Sequence, residues 1–210
     1  MNQDKKRFIL LKKKLIFMIK EDSKKLNLGA GELKKTGYIN IDWNELAQPD
    51  IRHDLNIFPY PFSDSAFDLI EASHILEHLD RPFAVMRELH RILKPGGRLI
   101  IKVPHFSRGF THAEHSHGFD VTFPLYFNKN FTKSGFIGVE FKLDKIKLSW
   151  LSFFYLLPHL GYGRVFIYFL KILNKLISFL ANLSPNFCSR IWCYWVGGFD
   201  EIEFNFISLK

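Results

Sequence analysis

LNLGAGELKKTGYINIDWN, residues 26–44, reads as a strand, a glycine turn, a short connector and a second strand that ends in a carboxylate. Leu26 and Leu28 belong to an apolar run suited to burial. Gly29 and Gly31 let the backbone turn sharply and approach a ligand with no Cβ in the way. Tyr38, Ile39 and Ile41 form a second β-rich run, and Asp42 at its end offers oxygens that accept hydrogen bonds from ribose hydroxyls. A dinucleotide fingerprint needs a further glycine three residues on, where Lys34 stands, so the pattern argues against a nicotinamide site.

The flanking sequence supplies the context. Asp54 and Leu55 follow a short apolar segment, FPYPF (58–62) is a proline-stiffened loop, and FDLI (67–70) begins another strand. SHILEHL (73–79) comes next. From Arg81 onward, Phe83, Met86, Leu89, Ile92 and Leu93 recur at helical spacing, and KPGG (94–97) closes that helix with a basic last turn and breakers. RLIIKV (98–103) is a further strand. Strands alternating with helices predict a doubly wound α/β sheet with ligands outside the carboxyl ends of its parallel strands.

Taken in order, LNLGAG, YINID, HDL, FDLI, ILEHL, LKPGG and VPHFS resemble class I S-adenosylmethionine-dependent methyltransferases of the group called type 11. The resemblance covers about Leu26 to Asp144 and the last ten or so residues. It implies a Rossmann-like, seven-stranded mixed sheet with an antiparallel last strand, and S-adenosyl-L-methionine as cofactor. It implies a cofactor shell of Asn27, Leu28, Gly29, Ala30 and Gly31 at the aminoacid part, and Asp42 with Trp43 at the ribose. Asp54 and Leu55 would lie at the adenine, and Ser73 and His74 at the methionine and sulfonium. Two departures stand out. Asn27 replaces the Asp or Glu of many relatives, and the connector between the first two strands is too short for the usual first helix.

The 210-residue chain, 47% hydrophobic, suits one domain with additions. Its two cysteines, Cys188 and Cys193, lie outside the expected site; they fit a reducing compartment and are read as buried thiols. The net charge of +8 is uneven: residues 1–25 carry nine Lys/Arg against three Asp/Glu, 26–144 thirteen against fifteen, 145–199 six against none, and 200–210 one against three. The basic segments are also rich in large apolar side chains, which suits a membrane surface or hydrophobic partner better than nucleic acid.

Four segments follow: a basic amphipathic N-terminal helix (1–25), a methyltransferase-like core (26–150), a hydrophobic helical insertion (151–198) and a closing strand (199–210). The N-terminal helix either packs on the core with its lysines outward or meets a membrane. Within the insertion, Val165 to Leu183 gathers Lys171, Asn174, Lys175, Ser178 and Asn182 on one polar stripe, so the helix is expected to bury most of its remaining surface. The insertion serves as a lid, a dimer interface or an interfacial contact at residues 151–195. The expected location is cytoplasmic, or peripheral on the cytoplasmic membrane face.

Nine histidines mark the chain. His74, Glu77 and His78 form H-x-x-E-H, which a helix would place on one face. Inverted zinc peptidases use that spacing, and quinone-biosynthesis and small-RNA methyltransferases carry a similar acid-x-x-Glu-His cation site in which His74 here replaces the acid. Helix-capping and cofactor-shell roles are preferred, and no metal ligand is assigned. A second group, His105, His112, His115 and His117, follows the strand whose end faces the acceptor. Methyl transfer needs alignment and, for a hydroxyl acceptor, proton removal, so His105 and then His112 are the expected bases. The expected acceptor is an oxygen or nitrogen of a small molecule, a sugar or a lipid-linked precursor. A non-catalytic cofactor-binding or membrane module and an RNA methyltransferase remain the alternatives.

Overall fold

The computed structural model describes residues 24–109, 112–131 and 135–210. The basic helix expected over residues 1–25 falls almost wholly outside them. A single seven-stranded sheet has the order β3-β2-β1-β4-β5-β7-β6. Its strands are β1 (Lys25–Leu28), β2 (Ile39–Asp42), β3 (Ile51–Arg52), β4 (Phe67–Ser73), β5 (Leu93–Pro104), β6 (Glu140–Ser149) and β7 (Glu201–Leu209). The first five pair in parallel, whereas β7 runs antiparallel to both β5 and β6.

Period-two burial fixes the sheet against its core: Leu26 and Leu28 of β1, Leu99, Ile101 and Val103 of β5, and Ile202, Phe204 and Phe206 of β7 are all buried. Helix α1 (Pro82–Ile92) starts with proline at its first position and buries Val85, Met86, Leu89 and Ile92. It is the only α-helix among the connections that join β1 to β5. The β1–β2 connector is a series of turns, as its length predicted. KPGG, expected to end α1 as a loop, begins β5 instead, because Leu93 already pairs with Phe67. A short helix, α2 (Phe106–Gly109), follows β5.

The insertion lies between β6 and β7 and carries α3 (Arg164–Leu183) and α4 (Pro185–Arg190). Its orientation overturns the expectation that α3 buries its apolar surface, since Ala181 is its only buried residue. Asn174, Ser178 and Asn182, four residues apart, face inward on one side of the helix. Asn182 donates to Leu148 O at 2.8 Å and accepts from Leu148 N–H at 2.9 Å. Asn174 makes the same double contact with Leu151, and Ser178 Oγ accepts from Trp150 N–H. β6 is an edge strand whose outward backbone groups need partners, and the polar stripe supplies them. The apolar face is thereby turned outward.

Candidate functional site

Because β1, β2 and β4 are parallel, their carboxyl ends bring Gly29, Asp42 and Ser73–His74 to one rim. Gly29 has φ +67°, and its N–H and that of Ala30 both donate to Ile41 O at 3.0 Å. A Cβ on Gly29 would lie 2.6 Å from Ile75 Cγ1. Glycine is therefore required by conformation and by space alike. Asp42 is 6% exposed; Oδ2 accepts from Gly31 N–H and Oδ1 from Asn44 N–H, each at 2.8 Å. Two backbone donors fix the carboxylate and leave further lone pairs for a ligand's hydroxyls.

The remaining expected cofactor residues differ in availability. Leu28 and Ala30 are buried beside the turn, and Trp43 is exposed. The Asn27 amide donates to Leu33 O at 3.1 Å and Asn40 Oδ1 at 3.0 Å, so its N–H groups are spent within the protein. Asp54 is exposed and accepts from Asn56 N–H, while Leu55 is buried with its carbonyl accepting from Tyr60 OH. Sequence reasoning missed Glu71, which accepts from Tyr38 OH and from Lys35 Nζ and so ties the β1–β2 connector down onto β4.

Beyond the ends of β4 and β5 lies a cleft of about 320 Å³ walled by His74, Glu77, His78, Arg108, His112 and His115, with Phe153, Tyr155 and Leu156 from the insertion. The H-x-x-E-H segment is a single 3-10 turn (Leu76–His78) rather than an α-helix. His74, at φ +52°, places Nε2 3.0 Å from Glu201 Oε2 and Nδ1 3.3 Å from Glu77 Oε1. Burial opposes its protonation, but the contacts with Glu201 and Glu77 outweigh that and raise its pKa to about 9. His74 is an imidazolium at neutral pH and holds the two carboxylates together.

Glu77 is fully buried, its charge faced by the His74 imidazolium 3.3 Å away, and no backbone N–H or hydroxyl donates to either carboxylate oxygen. Its oxygens and ring nitrogens of His78 and His115 lie within 4.8 Å of one another. The His115 Nδ1 donates to Gly109 O at 2.5 Å, which orients the ring and leaves Nε2 as the nitrogen available to a ligand. A buried carboxylate and two imidazoles are a donor set for a divalent cation. His112 stacks on His115 at 4.9 Å between ring centroids and is exposed to the cleft.

His105 does not fit the role of base. It is fully buried, outside the cleft wall, with Nδ1 2.7 Å from Ser107 Oγ and Nε2 2.8 Å from Ser189 Oγ. Burial drives its pKa down to about 4, so it is a neutral strut between the end of β5 and α4. A larger cleft of about 710 Å³ lies between the start of α1 and residues 116–126. Four of its polar side chains are engaged: Arg81 and Arg87 donate to backbone carbonyls, His117 contacts Leu79 O, and Asp120 pairs with Arg190. The smaller cleft, where the buried Glu77 carboxylate, the charged His74 and three further imidazoles and an arginine converge, is the better reaction site.

The methyltransferase domain family model matches residues 33–101. The ubiquinone/menaquinone biosynthesis C-methyltransferase UbiE of Pseudoalteromonas translucida is 33% identical over 81 residues, 38% of this chain and 29% of that protein. A demethylmenaquinone methyltransferase of Bacillus velezensis is 26% identical over 127 residues, 60% of this chain and 46% of its own. The match thus spans less than half the length of these curated relatives. A SAM dependent methyltransferase from Archaeoglobus fulgidus shares the fold, with a TM-score of 0.54 at 18% identity, over 95% of this chain and 94% of that one.

Proposed function

We infer that this chain, which belongs to the class I S-adenosylmethionine-dependent methyltransferase family by its domain and fold, transfers a methyl group from that cofactor to an acceptor seated in the histidine cleft. The observation that carries the reading is the Asp42 carboxylate, locked by Gly31 and Asn44 on the rim that leads through His74 to the cleft. The residues fit the cofactor: Asp42 has lone pairs for two ribose hydroxyls, and the Cβ-free turn at Gly29 and Gly31 gives the aminoacid part room. The cofactor's amino group is a donor and calls for oxygen acceptors, so the Asn27 N–H groups, spent on Leu33 O and Asn40 Oδ1, take no part in holding it.

When bound, the cofactor supplies an electrophilic methyl on its sulfonium. The protein's part is alignment and proton management. The acceptor is an oxygen or nitrogen of a small molecule, a sugar or a lipid-linked precursor. His112, exposed to the cleft, would take the proton that a hydroxyl or amine acceptor gives up on being methylated. His74, already protonated, takes no part as a base.

Glu77, His78 and His115 fit a divalent cation, since one ligand atom from each lies within 4.8 Å of the others and His74 faces only one of the two Glu77 oxygens. A cation there would supply positive charge to hold an acceptor oxygen.

Calorimetry with S-adenosylhomocysteine tests the core of the reading. Binding is expected, and Asp42→Ala should weaken it by on the order of tenfold to a hundredfold through lost charge-assisted hydrogen bonds. No binding would leave a non-catalytic module with this fold. Binding without transfer to any acceptor fraction would leave a cofactor-binding module, and steeply salt-dependent RNA binding would favour RNA as acceptor.

A further inference from the structure

We propose that the outward face of α3 docks flat on an anionic membrane surface. The helix is long and apolar enough to cross a membrane by length and composition. Buried core helices and N-terminal signals share that property, but α3 begins at residue 164 and buries only Ala181. At the 100° per residue of an α-helix, Val165, Phe169, Ile172, Leu176, Phe179 and Leu183 fall within an arc of about 80° opposite Asn174. Each is between 54% and 86% exposed. A contiguous face of this kind, unlike scattered surface leucines, marks an interaction site.

Two observations select lipid as the occupant. The first is charge: residues 145–199 hold six Lys or Arg and no Asp or Glu, with exposed Lys175 on the border of the outward face and exposed Lys171 within the arc of the polar stripe. Cations flanking an apolar face match an anionic lipid surface, whereas two copies of the same basic insertion repel each other. The second is chemistry: Tyr168, Tyr194 and Trp195 are exposed on the same insertion, and such rings with a polar tip favour the lipid headgroup level. The helix lies on the membrane and does not span it, because Asn174, Ser178 and Asn182 are hydrogen-bonded to the sheet edge. The docking does not rest on the methyl-transfer reading.

Flotation of the full chain with phosphatidylcholine vesicles and with mixed phosphatidylcholine–phosphatidylglycerol vesicles tests the proposal. Binding to the mixed vesicles is expected, with about tenfold or greater loss in F169E/I172E/F179E and a several-fold loss in K171Q/K175Q. These side chains are exposed, so the unfolding midpoint and S-adenosylhomocysteine binding should stay as in the parent, which separates a docking failure from a failure of the cofactor reading. No vesicle binding by the parent overturns the proposal. So does equal binding by the triple variant, which would move the contact to another segment. A concentration-dependent dimer abolished by the triple variant, with no vesicle binding, would assign the face to a second copy.

Discussion

Asn182 and Leu148 exchange a reciprocal pair of hydrogen bonds, the asparagine amide donating at 2.8 Å and accepting at 2.9 Å, so that a helical side chain acts as the missing neighbour of an edge strand. Asn182→Ala leaves both backbone groups of Leu148 to find other partners. A loss of about 1–3 kcal/mol in urea unfolding is expected. An unchanged midpoint would mean that water replaces the amide at no cost.

Gly29 and Ile75 meet at the turn that shapes the cofactor rim. Gly29→Ala should destabilise by about 1–3 kcal/mol, from the left-handed backbone and from a Cβ 2.6 Å from Ile75 Cγ1. In an Ile75→Ala background the steric part should vanish and the backbone part persist. A double-mutant cycle with no coupling would refute the contact.

His105 should make the fold acid-sensitive. Its folded pKa is about 4, below the ordinary value of 6.5 for histidine. Between these values the unfolded chain binds more protons than the folded one, so stability is complete above about 6.5 and declines as pH falls towards 4. The shift corresponds to about 3 kcal/mol. His105→Gln should flatten that part of the stability–pH curve; an identical curve would show that the neutral strut is not the acid-labile element.

Cation binding at Glu77, His78 and His115 should be visible without any acceptor. Mn²⁺ or Zn²⁺ at a hundred times its dissociation constant should stabilise the fold by about 2.7 kcal/mol, a Tm rise on the order of 5–10 °C, reversed by a chelator. His115→Ala and Glu77→Gln should lose the rise, and His117→Ala should keep it. A parent protein indifferent to both metals would refute the site.

For catalysis, His112→Ala should slow methyl transfer about 10²-fold to 10⁴-fold while leaving S-adenosylhomocysteine affinity unchanged. Loss of both together would make His112 part of the cofactor shell.

Local signals carried much of this far. The glycine turn, the terminal carboxylate of β2 and the alternation of strands are short-range patterns, and each stands where its spacing placed it. The histidines were harder, because whether an imidazole is base, strut or clamp depends on partners distant in sequence. His105 meets Ser189 across 84 residues and His74 meets Glu201 across 127. The polar stripe of α3 was legible, but its direction was not. Periodicity defines two faces, and which one turns inward was decided by an edge strand in need of hydrogen bonds. Glu71 gave no signal at all, since a lone carboxylate inside a strand looks like any solvent-facing position.

The sheet stops differently at its two margins. On one side β3 is two residues long, and on the other both backbone groups of Leu148, near the end of β6, are taken by Asn182 of α3. The first is too short to template an added strand, and the second is interrupted for that purpose at Leu148. Molecules gathered on a membrane through α3 are thus steered from backbone-to-backbone stacking, and stay separate folded units rather than seeds of a fibre.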